Sequence, residues 1–181
     1  PSFVETVGLA VDGSPMRITS VAAGFPASQT FLEVKMLEVA MAIENGADEV
    51  DIVVNVGKIL TGAYDEAANE IEVLREESDG ATLKVILETG ALKSPEMIYN
   101  ASLLAMAAGA DFIKTSTGFG TAGATMEDVL LFKKHIGPDV KIKAAGGVKT
   151  REDLVAFLEA GCERIGTSSA VGMLKGKETA G

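Results

Sequence analysis

Three phrases in this chain, ENGADEV, MAAGADFI and LEAGCERI, repeat one arrangement: the end of an amphipathic stretch, a glycine, then the start of a strand-like run. A glycine placed there lets a helix close in the left-handed conformation before the next strand begins. Repeated along the chain, this is an internal βα unit. Alternating βα units impose a parallel sheet with right-handed crossovers, so the fold class is α/β.

Six strands are predicted: MRITSVAAGF, EVDIVVN, LKVILET, ADFIKTST, VKIKAAGG and ERIGTSS. Helices are predicted between them from Ser28 to Asn45, Asp65 to Glu77, Pro95 to Ala108, Thr125 to His135 and Arg151 to Ala160, with a short one from Ser169 to Leu174. At the front, Phe3, Val4 and Val7 fall at helical spacing before Gly8, which predicts a short helical turn interrupted there. With 181 residues and no low-complexity stretch to act as a linker, one domain over 1–181 is expected.

The sheet is either open and doubly wound or closed into a barrel. A dinucleotide-binding fold would carry G-x-G-x-x-G after its first strand, and the chain has none there. A (β/α)8 barrel normally has eight strands and at least about 200 residues, two strands more than are visible.

Charge narrows the partners. A formal net charge of −10 argues against nucleic acid or an anionic membrane, both of which select clustered Lys and Arg. No apolar stretch approaches 18 residues and no basic segment leads an apolar one, so neither a membrane span nor a signal peptide is expected. A single cysteine, Cys162, precludes an intrachain disulfide and suits a cytoplasmic location.

Strands of a parallel sheet are normally buried on both faces, so polar residues inside them are informative. Asp51, Lys84, Glu88, Lys114, Lys141 and Lys143 all lie within or at the ends of predicted strands. Alternation puts Asp51 with Val53 and Asn55, Lys114 with Phe112 and Ser116, and Lys143 with Lys141 and Ala145. A lone strand lysine is most often an edge residue or half of an ion pair. Two on neighbouring strands, each followed by glycines, suggest a site at the carboxyl ends, where barrel enzymes keep their chemistry.

Such a pair permits imine formation with a carbonyl. A lysine of ordinary pKa, about 10.4, is a poor nucleophile at neutral pH. A second ammonium some 6 or 7 Å away adds roughly 2–3 kcal/mol to the cost of charging it, about two pKa units, at an effective dielectric of 20. Partial burial acts in the same direction. Lys114 and Lys143 are thus candidate nucleophile and activating cation. Gly146 and Gly147 follow one strand, and Gly166, Thr167, Ser168 and Ser169 end the last and open a helix. Such residues alone are mostly turn and cap residues, but barrels often bind phosphate after their last two strands.

Weaker candidates are read as structural. His135 ends a predicted helix, where a basic residue suits the carbonyl end of the dipole, and Cys162 reads as a small buried residue. Lys84 and Glu88 belong to a polar interior or pair with each other or with Lys114. Glu70, Glu72, Arg75, Glu76 and Glu77 read as a solvated helix face.

In order, GADEVDIVVN, LKVILETG, AGADFIKTSTGFGTAGAT, IKAAGGVKTREDLVAFLEAG and RIGTSS resemble the successive motifs of the deoxyribose-phosphate aldolases, over nearly the whole chain. The resemblance implies a TIM-barrel-type fold with six of the usual eight strands in this chain. It implies reversible aldol cleavage of 2-deoxy-D-ribose 5-phosphate to D-glyceraldehyde 3-phosphate and acetaldehyde, with no metal or organic cofactor. In that scheme Lys114 forms the imine, Lys143 lowers its affinity for a proton, Asp51 relays protons through water, and Gly118 adds a phosphate contact. A transaldolase-like enzyme fits KTSTGFG and KAAGG less well.

Relative to that family about two strands and a helix are expected ahead of Pro1, Ser2, Phe3 and Val4, which look like the tail of an NPSYV-like phrase, and the closing GKETAG lacks the family's tyrosine tail. Six strands leave two sheet edges, which predicts a homo-oligomer or completion by another chain. The alternative is a non-catalytic or weakly active structural subunit associating through those edges.

Overall fold

The computed structural model describes residues 1–175; the closing GKETAG lies outside the described residues. Six parallel strands, β1 (Thr19–Ala22), β2 (Glu49–Val53), β3 (Thr82–Ile86), β4 (Phe112–Lys114), β5 (Lys141–Ala145) and β6 (Arg164–Gly166), lie side by side in chain order. The helices are α1 (Val4–Val11), α2 (Leu32–Glu44), α3 (Val56–Thr61), α4 (Tyr64–Glu77), α5 (Pro95–Ala107), α6 (Met126–His135), α7 (Arg151–Glu159) and α8 (Ala170–Leu174).

Alternation along the strands divides the sheet into two unlike faces. Val50, Ile52, Leu83, Val85, Ile113, Ile142 and Ala144 point one way and join residues such as Val39, Ile71, Leu74, Ala105, Phe132 and Phe157 from the helices in one continuous core. Their removal from water, worth about 1.5–3 kcal/mol for each large side chain, is what binds helices to sheet. The other face carries Glu49, Asp51, Lys84, Lys114, Lys143 and Arg164.

Those polar side chains show that the sheet is curled. Three strand spacings separate β2 from β5 and four separate β2 from β6, about 14 and 19 Å in a flat sheet. Yet Asp51 on β2 lies 2.7 Å from Lys143 on β5, and Glu49 on β2 lies 2.8 Å from Arg164 on β6. Only a sheet rolled towards its polar face brings them together, so the architecture is a partial β/α barrel of TIM type.

Local chemistry explains where the predicted elements shift. β1 stops at Ala22 rather than reaching Phe25, because Ala23 and Gly24 both turn to positive φ. The predicted helix from Ser28 begins only at Leu32, since Ser28 is itself left-handed (φ 57°) and fully buried, its hydroxyl accepting from Lys35 Nζ at 2.9 Å. The front helix is not interrupted at Gly8 but runs to Val11. α3 was not predicted: Asn55 caps it by accepting from the Lys58 amide, and left-handed Gly62 ends it.

The predicted solvated face of α4 is only partly so. Glu72 and Glu76 are exposed. Glu70, however, receives Lys35 Nζ at 2.6 Å and Lys58 Nζ at 2.9 Å, and Arg75 binds Asp111 at 2.7 Å and the Ala81 carbonyl at 2.7 Å. Lys35, reaching from α2, is 1% exposed. His135 is half-buried, edge-on to Tyr99 at 4.7 Å, and Cys162 is buried, which pushes its thiol up to about 11.

Candidate active site

The strand register brings the polar residues together. Asp51 is directly opposite Lys84, and Lys114 directly opposite Lys143. On the curled face the Asp51 carboxylate takes Lys84 Nζ on Oδ1 at 2.9 Å, and both Lys114 Nζ (2.8 Å) and Lys143 Nζ (2.7 Å) on Oδ2. Lys84 also binds Glu49 at 2.6 Å, and Glu49 accepts from Arg164 and from Thr19.

Two carboxylates therefore face Lys84, Lys114, Lys143 and Arg164 in a largely buried cluster, with the exposed Arg17 at its edge, 3.7 Å from Glu49. Burial pushes the Asp51 carboxyl up, but Lys114, Lys143 and Lys84 together hold it well below the usual carboxylate range. Burial likewise favours the acid form of Glu49, and Lys84, Thr19 and Arg164 outweigh it. Lys143 moves down from its ordinary value: burial contributes most, Asp51 opposes it, and the ammoniums of Lys114 and Lys84 add to it. With an excess of positive charge away from water, losing one proton from a lysine is the cheapest relief. Such a cluster favours the neutral form of the Lys143 amine more than water does.

Lys114 and Lys143 also line a cleft of about 630 Å³ at the carboxyl ends of β4, β5 and β6. Its walls include Gly118, Gly146, Gly147, Gly166, Ser168 and Ser169. Asp51, 1% exposed, lies beneath that wall rather than in it, and touches both amines directly. Lys114, Lys143, Asp51 and these six residues thus fall in one region, whereas Lys141 is exposed and pairs with Glu163 at 3.3 Å.

The backbone at the cleft is shaped by close approach. Gly146 and Gly147 are left-handed, at φ 83° and 75°, and the β4–α6 loop lies so near that a Cβ on Gly123 would stand 2.3 Å from the Gly146 carbonyl oxygen. Lys149, also on the cleft wall, was missed by the sequence reading, although its place just after the glycine pair marks it as a cation facing that wall. Lys84 does not pair with Glu88, and its contact with Lys114 is indirect, through Asp51. Glu88 instead accepts hydrogen bonds from Thr117.

Comparison with known proteins bears on this cluster. Residues 6–180 match the family described as DeoC/LacD family aldolase. The chain belongs to that family. The deoxyribose-phosphate aldolase of Clostridium botulinum (strain Eklund 17B / Type B) is 52% identical over 169 residues, covering 93% of this chain and 76% of the relative. That of Streptococcus sanguinis (strain SK36) is 45% identical over 181 residues, covering 100% of this chain and 81% of the relative. Among solved structures, the tetrameric deoxyribose phosphate aldolase from Aeropyrum pernix superposes with a TM-score of 0.86 at 31% identity, over 97% of this chain and 74% of that one. The chain therefore spans about three quarters of the length of these aldolases.

Proposed function

We propose that this aldolase cleaves 2-deoxy-D-ribose 5-phosphate reversibly to D-glyceraldehyde 3-phosphate and acetaldehyde through an imine on Lys114. The observation that carries the reading is the sharing of one Asp51 oxygen by two lysine amines at the wall of a cleft whose other side is built from glycines, serines and Lys149. The substrate follows from the relatives, which act as deoxyribose-phosphate aldolases.

In this scheme neutral Lys114 Nζ attacks C1 of the open-chain sugar, and the carbinolamine so formed takes up a proton and loses water to give a protonated imine. The proton of the C3 hydroxyl is removed, the C2–C3 bond breaks, and its electron pair flows into the imine to leave an enamine. Glyceraldehyde 3-phosphate departs. A proton is returned to C2 and water releases acetaldehyde, restoring the lysine. Asp51, bonded to both amines, is the group placed to pass protons between Lys114 and Lys143 and, through water, to the substrate. The sugar's phosphate is assigned to Gly118, Gly146, Gly147, Gly166, Ser168 and Ser169, with Lys149 supplying charge.

Retention of the whole lysine–aspartate cluster weighs against a purely structural subunit. Homo-oligomerisation is supported by β1 and β6, each bonded to one neighbouring strand only among the described residues, and by the exposed Val34, Leu37 and Met41 along α2. A monomeric mass in sedimentation velocity would sink that part. No helix among the described residues is long and apolar enough to cross a membrane.

Incubation with acetaldehyde and borohydride, followed by peptide mapping, tests the imine. A reduced two-carbon adduct is expected on Lys114, and an unmodified Lys114 overturns the scheme. The same trapping across pH reads the role of Lys143. In Lys143→Leu the Asp51 Oδ2 is left to Lys114 alone and a neighbouring ammonium is gone, so trapping should require a higher pH than in the wild type. An unchanged profile removes Lys143 from that role.

A further inference from the structure

The residue after Leu87 stands out on two independent grounds. Glu88 has φ 54° and ψ 58°, a left-handed backbone that is strained for a residue with a side chain. It is also only 8% exposed, a burial that a carboxylate rarely tolerates without partners. A glycine would satisfy that backbone at no steric cost, so the side chain has its own reason to be there.

Both of its side-chain hydrogen bonds go to Thr117. Oε1 accepts from the Thr117 amide at 3.3 Å, and Oε2 accepts from the Thr117 hydroxyl. The hydroxyl oxygen of Thr117 accepts in turn from the Phe119 amide at 3.1 Å. Gly120 closes over the same carboxylate, where an added Cβ would stand 2.9 Å from Glu88 Cδ. Just before this, the backbone is already clamped, with the Leu87 amide on the Lys114 carbonyl and the Thr89 amide on the Thr115 carbonyl. The side chain of Glu88 extends that clamp beyond the strand, from Lys114 and Thr115 to Thr117 and Phe119.

The held segment is one wall of the cleft. Thr117, Gly118 and Phe119 line it together with Lys114. The same loop leans on the opposite wall, for the Ala124 amide donates to the Ala145 and Gly146 carbonyls. The left-handed turn at Gly118 therefore lies between a fixed point at Thr117 and a fixed point at Gly146.

From this we infer that Glu88 is a positioning residue for the phosphate end of the substrate, acting through Thr117 to fix the Gly118 turn against the Gly146–Gly147 segment. The inference rests on the reading of the cleft as a sugar-phosphate site. It predicts that Glu88 governs discrimination between phosphorylated and unphosphorylated sugar more than imine formation.

Glu88→Ala, Glu88→Gln and wild type are to be compared on 2-deoxyribose 5-phosphate and on 2-deoxyribose, with inorganic phosphate binding followed separately by phosphorus NMR titration. For Glu88→Ala, kcat/KM on the phosphorylated sugar is expected to fall at least tenfold, mainly through KM. The fall on deoxyribose should be at least fivefold smaller, and phosphate should bind at least tenfold more weakly. Glu88→Gln, whose amide oxygen still accepts from Thr117, should recover most of each loss. Equal losses on both sugars, or unchanged phosphate binding, overturn the inference. If Glu88→Ala does not fold, Thr117→Val, which removes the hydroxyl and leaves Glu88, is held to the same criteria. Wild type that binds phosphate without cleaving the sugar, with weaker binding in Glu88→Ala, refutes the proposed reaction and supports the positioning role. Wild type that binds no phosphate refutes the positioning role.

Discussion

Replacing Lys114 by Met is expected to lower kcat for cleavage by on the order of 10⁴-fold or more while leaving the fold intact. Loss of a covalent nucleophile costs at least this much when no neighbouring group can take over the bond, because the residual rate comes from binding and orientation alone. Lys143 is the one other amine on the cleft wall that also meets Asp51, and it starts from a different strand, so an imine on it would sit displaced from the same substrate pose. Stability should hardly suffer. Asp51 keeps Lys84 and Lys143, the excess of positive charge shrinks, and a flexible Met fills the volume of the lysine stem. Stopped assays on the purified variant, with thermal unfolding as a control for folding, check both halves. A variant with more than about one hundredth of the wild-type rate would show that the imine forms elsewhere.

Much of this site was legible because charge inside a parallel strand is anomalous. Asp51, Lys114 and Lys143 each interrupt an apolar run, and the glycine-closed helices fixed the order of the strands that carry them. Of the alternatives open for Lys84, the polar interior holds and the pair with Glu88 does not, for a geometric reason. Glu88 is four positions away in sequence, a spacing that makes neighbours on a helix, but in an extended chain it corresponds to about 13 Å. Asp51 is 33 residues away yet directly opposite on the next strand. Glu49 and Arg164 stayed invisible as partners because only the curl of the sheet, which no local pattern encodes, brings β2 to β6.

The α4 face shows the same limit in another form. Charges at Glu70 and Arg75 have the composition of a solvated surface, and what removes them from water is a lysine arriving from α2 and an aspartate preceding β4. α3 was missed because six residues give too short a window for a helical period. Its boundaries were nevertheless written in the sequence, with an Asn cap at one end and a left-handed glycine at the other. Lys149 was less legible because a lysine in a βα loop has the composition of an ordinary solvated surface, and only the fold turns it to the cleft.

Asp51→Asn carries the second large expectation, a loss of about 3–5 kcal/mol of stability at pH 7, the cost of removing one partner from a buried charge cluster. The amide is nearly isosteric, so packing is kept, but Lys84, Lys114 and Lys143 then face one another with no carboxylate between them. For a chain of this size the melting temperature should fall by roughly 6–20 °C. The pH dependence separates this cause from a packing defect. The Asp51 carboxyl is held below its unfolded value, so its contribution is fully present above about pH 4–5 and is lost as the pH falls towards the folded value. Wild type should therefore lose stability on acidification more steeply than the variant, in which Glu49 and Glu70 retain their own smaller share. On the alkaline side the sign reverses. Lys143 is depressed in the folded state, so its charging penalty is present at neutral pH and fades as the pH rises, and the deficit of Asp51→Asn should narrow as the pH climbs towards the ordinary lysine value. Urea midpoints at about pH 3, 7 and 9.5 read all three limbs. Equal midpoints at pH 7, or a deficit that stays constant with pH, would mean that the three lysines do not depend on Asp51 for their place in the barrel.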